Sequence, residues 1–147
     1  MRPLTAALLW LLLAQFLAGM AVNLFVALPA VHPGVGAPGY FVGLARGLPW
    51  AALRGPVLLR VHVWVGVLLL AGATALLVMA VARARAVWPA ALGWVGITGA
   101  AFNGGSFVEF GQAFSSMLMA VGFSLAAAAY VWAALLLARS GVPRQPA

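Results

Sequence analysis

The chain has 147 residues, of which 66% are hydrophobic and 6% are charged, and its formal net charge is +7. Because a water-soluble domain carries about 25% charged residues, this composition excludes an ordinary soluble globular protein. All eight basic residues are arginines, and they stand singly or in pairs at the ends of apolar stretches. This distribution is typical of a membrane protein and not of a nucleic-acid-binding surface. The absence of cysteine excludes disulfides, thiolate metal sites and cysteine nucleophiles.

Four long apolar segments predict four membrane-spanning helices, since about 20 residues cross a hydrocarbon core of roughly 30 Å. We place these spans at about residues 4–28, 57–82, 87–106 and 113–138. The first apolar run is longer than the 7–15 residues of a signal-peptide core, so we expect a span there. The expected fold is all-α: an antiparallel four-helix bundle forming a single transmembrane domain over residues 1–147.

Residues 29–56 are expected to connect the first two spans as a loop on the outer side of the membrane. Glycine and proline punctuate residues 29–39 and forbid regular structure there. Tyr40–Arg54 is too apolar for a solvated loop, and Pro49 is placed to begin a short helix. We expect this segment either to lie in the bilayer interface or to pack over the end of the bundle.

The arginines predict the orientation of the chain, because cytoplasmic loops carry an excess of positive charge. With the N-terminus inside, the inner side holds Arg2, Arg83, Arg85, Arg139 and Arg144, and the outer side holds Arg46, Arg54 and Arg60. This distribution favours a multi-pass membrane protein with both termini in the cytoplasm.

This topology brings most of the rare polar residues to the outer end of the bundle, where they form a candidate ligand site or polar network. The candidates are Asn23, His32, Arg60, His62, Asn103, Ser106, Glu109, Gln112, Ser115 and Ser116. Between Asn103 and Gln112 the apolar pattern is interrupted, and the adjacent Gly104 and Gly105 predict a turn.

Glu109 is the most distinctive candidate, because it is the only acidic residue of the chain. A carboxylate near hydrocarbon is costly and needs a partner, and intramembrane ionisable groups are candidates for function. We expect Arg60 to pair with Glu109 and to fasten the loop to the second span, with His62 as the other possible partner. The alternatives are a role in proton or ligand handling and a position in the headgroup region without a fixed partner.

A cofactor is an open alternative at the same cluster. His32, His62 and Glu109 together resemble a zinc site or the facial triad of non-haem iron, although their spacing carries no metal-binding motif. Haem would need His62 with Met117 or Met119 as second ligand. Hydrogen bonds from the two histidines to loop carbonyls or to Glu109 are the simpler interpretation.

Two stretches of the chain resemble a group of small, uncharacterised four-span bacterial membrane proteins. They are Asn23-Leu-Phe-Val with His32-Pro-Gly, and Phe102-Asn-Gly-Gly-Ser-Phe with Phe114-Ser-Ser-Met-Leu-Met-Ala. The resemblance covers about a fifth of the chain and implies no catalytic or binding role. Together with the lysine-free, alanine- and arginine-rich residue usage, it implies a bacterial cytoplasmic (inner) membrane as the location.

The leading functional hypothesis is a non-enzymatic interaction or accessory protein, or one that binds a lipophilic ligand. Its expected partners are membrane lipids, a second copy of the chain or a larger membrane complex, and no nucleic acid. The alternatives are a redox protein with haem, quinone or a metal at the outer cluster, and a proton-coupled transporter or channel subunit.

Overall fold

The computed structural model describes residues 1–111 and 113–139, and this part of the chain is helical without a strand. The all-α prediction is therefore confirmed for the described residues. The helices in chain order are α1 Arg2–Phe25, α2 Tyr40–Leu53, α3 Val57–Ala82, α4 Val87–Phe110 and α5 Ala113–Arg139.

Three of these helices are long and apolar enough to cross a membrane. They are Arg2–Phe25, Val57–Ala82 and the segment Phe114–Arg139 of α5. The remaining long helix, α4, has 24 residues, but its glycines, Asn103 and Glu109 dilute its apolar content. Length and composition thus establish three candidate spans within the described residues.

Helices α1 and α3 pack against each other in antiparallel order. At one end of their contact, a Cβ added to Gly72 would lie 2.9 Å from Cδ2 of Leu8. At the other end, a Cβ added to Gly19 would lie 3.0 Å from Cε1 of His62. Small residues admit the neighbouring side chain at both places, which is how helices approach closely where lipid replaces water.

Helices α4 and α5 form the closest pair, and two glycines face each other where they cross. A Cβ on Gly96 would lie 2.5 Å from the carbonyl oxygen of Gly122, and one on Gly122 would lie 2.6 Å from the carbonyl oxygen of Gly96. Nearby, the fully buried ring of Tyr130 occupies the space that a side chain at Gly93 would need. The core continues from this crossing into α1 and α3 through Leu8, Leu12, Leu69, Ala73 and Leu76.

The prediction of a turn at Gly104 and Gly105 is wrong, because α4 runs through both residues and ends only at Phe110. Gly105 serves packing instead: a Cβ there would collide with Cδ2 of Leu44 from α2. The turn comes later, at Gly111, whose φ of 62° lies in the left-handed region that glycine adopts without strain.

The segment after α1 differs in detail from the expectation. Helix α1 ends at Phe25 and not near residue 28, and Val26 has extended backbone with φ −113° and ψ 111°. The apolar stretch that follows the Gly- and Pro-rich residues forms one helix, α2, with Pro49 inside it and not at its start. Helix α2 contacts α3 and α4, so residues 26–56 pack against the beginning of α3 and the end of α4. We call this segment the cap.

At the opposite end, Arg2 joins the beginning of α1 to the end of α5. Its guanidinium donates to the carbonyl oxygen of Leu137 at 2.6 and 3.0 Å and to that of Ala138 at 3.0 Å. Carbonyls in the last turn of a helix have no partner within the helix, and a cation there also opposes the negative end of the helix dipole.

Candidate functional site

The candidate site lies where the cap meets the last two turns of α4. Glu109 projects from α4, and only 9% of its surface is accessible to solvent. A Cβ at Gly43 or at Gly34 would collide with its carboxylate, and one at Gly47 would lie 3.3 Å from Oε2. Three glycines of the cap therefore form the wall that accommodates the carboxylate, and we call this arrangement the glycine cradle.

Gly34 is the one member of the glycine cradle that is required for its backbone as well as its size. Its φ of 118° lies in the region that residues with a Cβ rarely adopt. Gly43 and Gly47 stand four residues apart in α2, so they occupy the same face of the helix. Together these residues let the cap backbone approach Glu109 more closely than any other residue type permits.

Within the described part of the chain, the carboxylate of Glu109 has no cation beside it. Among the described residues no ion pair joins it to an arginine or a histidine, and its buried Oε2 has no hydrogen-bond partner. The expected pair with Arg60 is therefore wrong. Arg60 belongs to the first turn of α3 and lines a groove between α2 and α3, where its Nε is buried without a partner.

The expected partnership between His62 and Glu109 is also wrong. The amide nitrogen of Gln15 lies 3.2 Å from Nε2 of His62, which links α1 to α3 inside the bundle. An amide nitrogen only donates, so Nε2 is the acceptor in this contact, and Nδ1 is buried without a partner among the described residues. The Oε1 of Gln15 is likewise buried without a partner. This pair is a second polar site, separate from Glu109.

His32 is held within the cap itself. Its ring stacks on Trp50 of α2 with centroids 4.6 Å apart and an interplanar angle of 9°. Its Nδ1 lies 3.2 Å from the carbonyl oxygen of Pro33. The described residues bring no three His, Cys, Asp or Glu side chains together as metal ligands, so the alternative of a metal set formed by His32, His62 and Glu109 is not assembled.

A hydrogen bond fastens α2 to α4 next to Glu109. The hydroxyl of Tyr40 lies 2.8 Å from Oγ of Ser106 and donates to the carbonyl oxygen of Phe102 at 3.3 Å. The Tyr40 ring also packs on Phe102 and Phe110 of α4, with centroids 5.0 and 5.8 Å apart. Polar and aromatic contacts thus hold the first turn of the cap helix.

The other candidates show no contact with Glu109 among the described residues. Asn23 is exposed on α1, and Asn103 donates to the carbonyl oxygen of Gly99 within its own helix at 2.8 Å. Ser115 is buried and Ser116 half-buried near the start of α5. Gln112 lies outside the described residues.

Ser106 and Glu109 both lie where α4 meets the cap, and sequence reasoning missed the residues that face them. The missed residues are Gly34, Gly43 and Gly47 of the glycine cradle, Tyr40, and Gln15 as partner of His62. A signal for two of them was present, because small residues four apart mark a helix face that packs closely. Comparison with protein-family models, with curated proteins and with solved structures gives no match to this chain.

Proposed function

We propose that the protein is a small four-span protein of the bacterial cytoplasmic membrane, in which α1, α3, α4 and α5 form an antiparallel bundle. The assignment of α4 as a span, in addition to the three candidate spans, is supported by the side chains on its outer face. Trp88, Leu92, Val95 and Phe102 are 39–77% exposed and recur at helical spacing. Such a stripe on a helix that packs against α3 and α5 is what contact with lipid requires.

The proposed orientation has the cap outside and both termini in the cytoplasm. Arg2 meets the end of α5, and Arg83 and Arg85 follow the end of α3 at the same end of the bundle. The excess of arginine at that end over the cap end is four to three among the described residues, and it supports a cytoplasmic position for the end opposite the cap. The fourth arginine opposite the cap is Arg139 in the last turn of α5, and the three at the cap end are Arg46, Arg54 and Arg60.

Within this membrane protein we propose a non-enzymatic role: interaction with other membrane components, or binding of a lipophilic ligand. The observation that carries the proposal is that apolar side chains are exposed, whereas the polar side chains at the cap are buried. Large apolar side chains are exposed on every long helix, among them Trp10, Leu68, Trp88 and Val121. Ser106 and Glu109 are buried between the cap and α4. The surface offered to other molecules is therefore apolar.

Native mass spectrometry of the protein extracted gently from its own membrane tests this role. We expect adducts of lipid, of a second copy or of another membrane subunit. A stoichiometric mass matching haem, quinone or a metal ion would contradict the proposal and support the redox alternative instead. The Gln15→Leu variant would then locate the cofactor, because loss of that mass in this variant would assign it to the polar site that Gln15 forms with His62.

One observation favours a second candidate, a proton-coupled transporter or channel subunit. Glu109 is a buried carboxylate with an unpartnered oxygen inside a proposed membrane protein, and such groups mark proton relays in pumps and transporters. Purified protein in vesicles with an internal pH-sensitive dye provides the test. Proton flux that Glu109→Gln abolishes and Ser106→Ala preserves would favour this candidate over the interaction role.

A further inference from the structure

A groove between the end of α2 and the beginning of α3 contains Arg60, a cation that no acidic side chain of the described residues neutralises. Ala52 and Leu53 form one wall; Val57, Arg60, Val61, Trp64, Val65 and Leu68 form the other. All of these residues except Arg60 are apolar or, in the case of Trp64, largely apolar. The groove is therefore apolar except for one guanidinium, which lies near the end that is closest to the cap.

Arg60 has no partner within the described part of the protein. Its Nε is buried in the groove without a hydrogen bond, and no acidic side chain pairs with it. The only carboxylate side chain of the sequence, Glu109, lies in the glycine cradle on the α4 side of the cap. A guanidinium that is partly removed from water requires an anion to offset the lost hydration.

The shape of the groove suits a molecule with a charged head and a long apolar tail. Val57, Val61, Trp64 and Leu68 are 48–63% exposed and lie on one face of α3. Since a helix rises 1.5 Å per residue, the face below Arg60 extends about 12 Å toward the centre of the proposed span as far as Leu68. The exposed stripe therefore leads from headgroup depth into the hydrocarbon region.

Trp64 fixes the shape of the groove near its head end. Its Nε1 donates to the carbonyl oxygen of Ala52 at 3.1 Å, which ties the last turn of α2 to α3. Tryptophan with one polar contact is typical of the boundary between headgroups and hydrocarbon. Arg54, exposed just after α2, adds a second positive charge at the same end.

We propose that this groove binds an anionic phospholipid, with its phosphate on the Arg60 guanidinium and one acyl chain along Val61, Trp64 and Leu68. A guanidinium offers paired donors that match phosphate oxygens. A second copy of the chain fits less well, because its only acidic side chain is buried in the glycine cradle. The inference rests on the proposed membrane placement and names the lipophilic ligand.

The test is a lipid titration of the purified full chain, followed by native mass spectrometry. Phosphatidylglycerol and phosphatidylcholine with identical acyl chains are added separately to the wild type, R60Q, R60K and R46Q. Arg46 is exposed on α2 and does not line the groove, so R46Q is the matched control for loss of one positive charge. R60K keeps the charge and shows whether a changed result in R60Q reflects misfolding.

We expect the wild type, R46Q and R60K to retain phosphatidylglycerol in preference to phosphatidylcholine. R60Q should lose roughly fivefold of that preference, the effect of one basic residue near an anionic lipid surface. Equal binding of the two lipids by the wild type, an undiminished preference in R60Q, or adducts that are second copies of the chain would overturn the proposal. Carbonate washing of membranes tests the membrane placement separately. If that placement is wrong, the wash releases the protein from the membrane fraction, whereas failure of the lipid proposal alone leaves it there.

Discussion

The carboxylate of Glu109 lies against the Cα of Gly43, so close that a methyl group at position 43 would overlap it. This contact joins the end of α4 to the first half of the cap helix. It involves neither a hydrogen bond nor an ion pair within the described residues. The contact between Glu109 and Gly43 therefore depends on close packing, which is possible because the glycine cradle has no side chains.

Gly43→Ala is expected to loosen the cap. The added methyl group must displace the Glu109 carboxylate or push α2 away, and such overpacking costs roughly 1–2 kcal/mol in the free energy of unfolding. Gly39→Ala is the matched control, because a Cβ at Gly39 meets nothing within 4 Å. Thermal unfolding in detergent measures both variants. Equal stability of Gly43→Ala and Gly39→Ala would contradict the glycine cradle.

Glu109→Gln is expected to leave the unfolding temperature unchanged or to raise it. The substitution replaces a buried carboxyl group that has no cation beside it among the described residues, while the shape of the side chain is kept. Ser106→Ala, which removes the hydrogen bond to Tyr40, should instead lower stability by about 1 kcal/mol. A loss of several kcal/mol in Glu109→Gln would reveal a partner of the carboxylate that the structure does not contain.

Tyr130→Phe is expected to be neutral or stabilising. The Tyr130 side chain is fully buried, and its hydroxyl has no hydrogen-bond partner among residues 1–111 and 113–139. Removing an unsatisfied buried hydroxyl relieves its desolvation cost, up to about 1 kcal/mol, while the ring that fills the space at Gly93 remains. Chemical denaturation of the two proteins in the same detergent gives the comparison. A clear loss of stability would point to a bound water or another acceptor at the hydroxyl.

Arg2→Gln is expected to fray the last turn of α5. The guanidinium satisfies the carbonyls of Leu137 and Ala138, and because Arg2 is exposed we expect an effect of about 1 kcal/mol or less. Hydrogen exchange in α5 reports the change locally. Arg85→Gln removes an exposed arginine near the same end and should leave α5 exchange unaltered, so equal exchange in both variants would count against this contact.

The helical elements were largely predictable because their signals are local. The apolar run of α3 follows Gly55-Pro56 and ends before Arg83, and the helix has those bounds. The end of α4 was not predictable in the same way. Gly104 and Gly105 resemble a turn in sequence, yet a helix buried among other helices tolerates glycine, and here Gly105 admits Leu44.

The site was only partly predictable because pairing depends on rotation about each helix axis. Residue order placed Arg60, His62 and Glu109 near one end but could not show which faces they occupy. In the structure, Arg60 faces α2, His62 faces Gln15 of α1, and Glu109 faces the cap. The charge rule that paired Glu109 with Arg60 assumed that opposite charges would meet, whereas close backbone packing positioned the carboxylate.

The most direct test of the account is the side of the membrane on which the cap lies. The chain has no cysteine, so single cysteines at Val31, which is 86% exposed in the cap, and at Ala84, between α3 and α4, report separately. In intact cells, an impermeant thiol reagent should label Val31→Cys, and it should label Ala84→Cys only after the membrane is opened. Labelling of Ala84→Cys from outside, or of both positions from the same side, would contradict the proposed four-span topology.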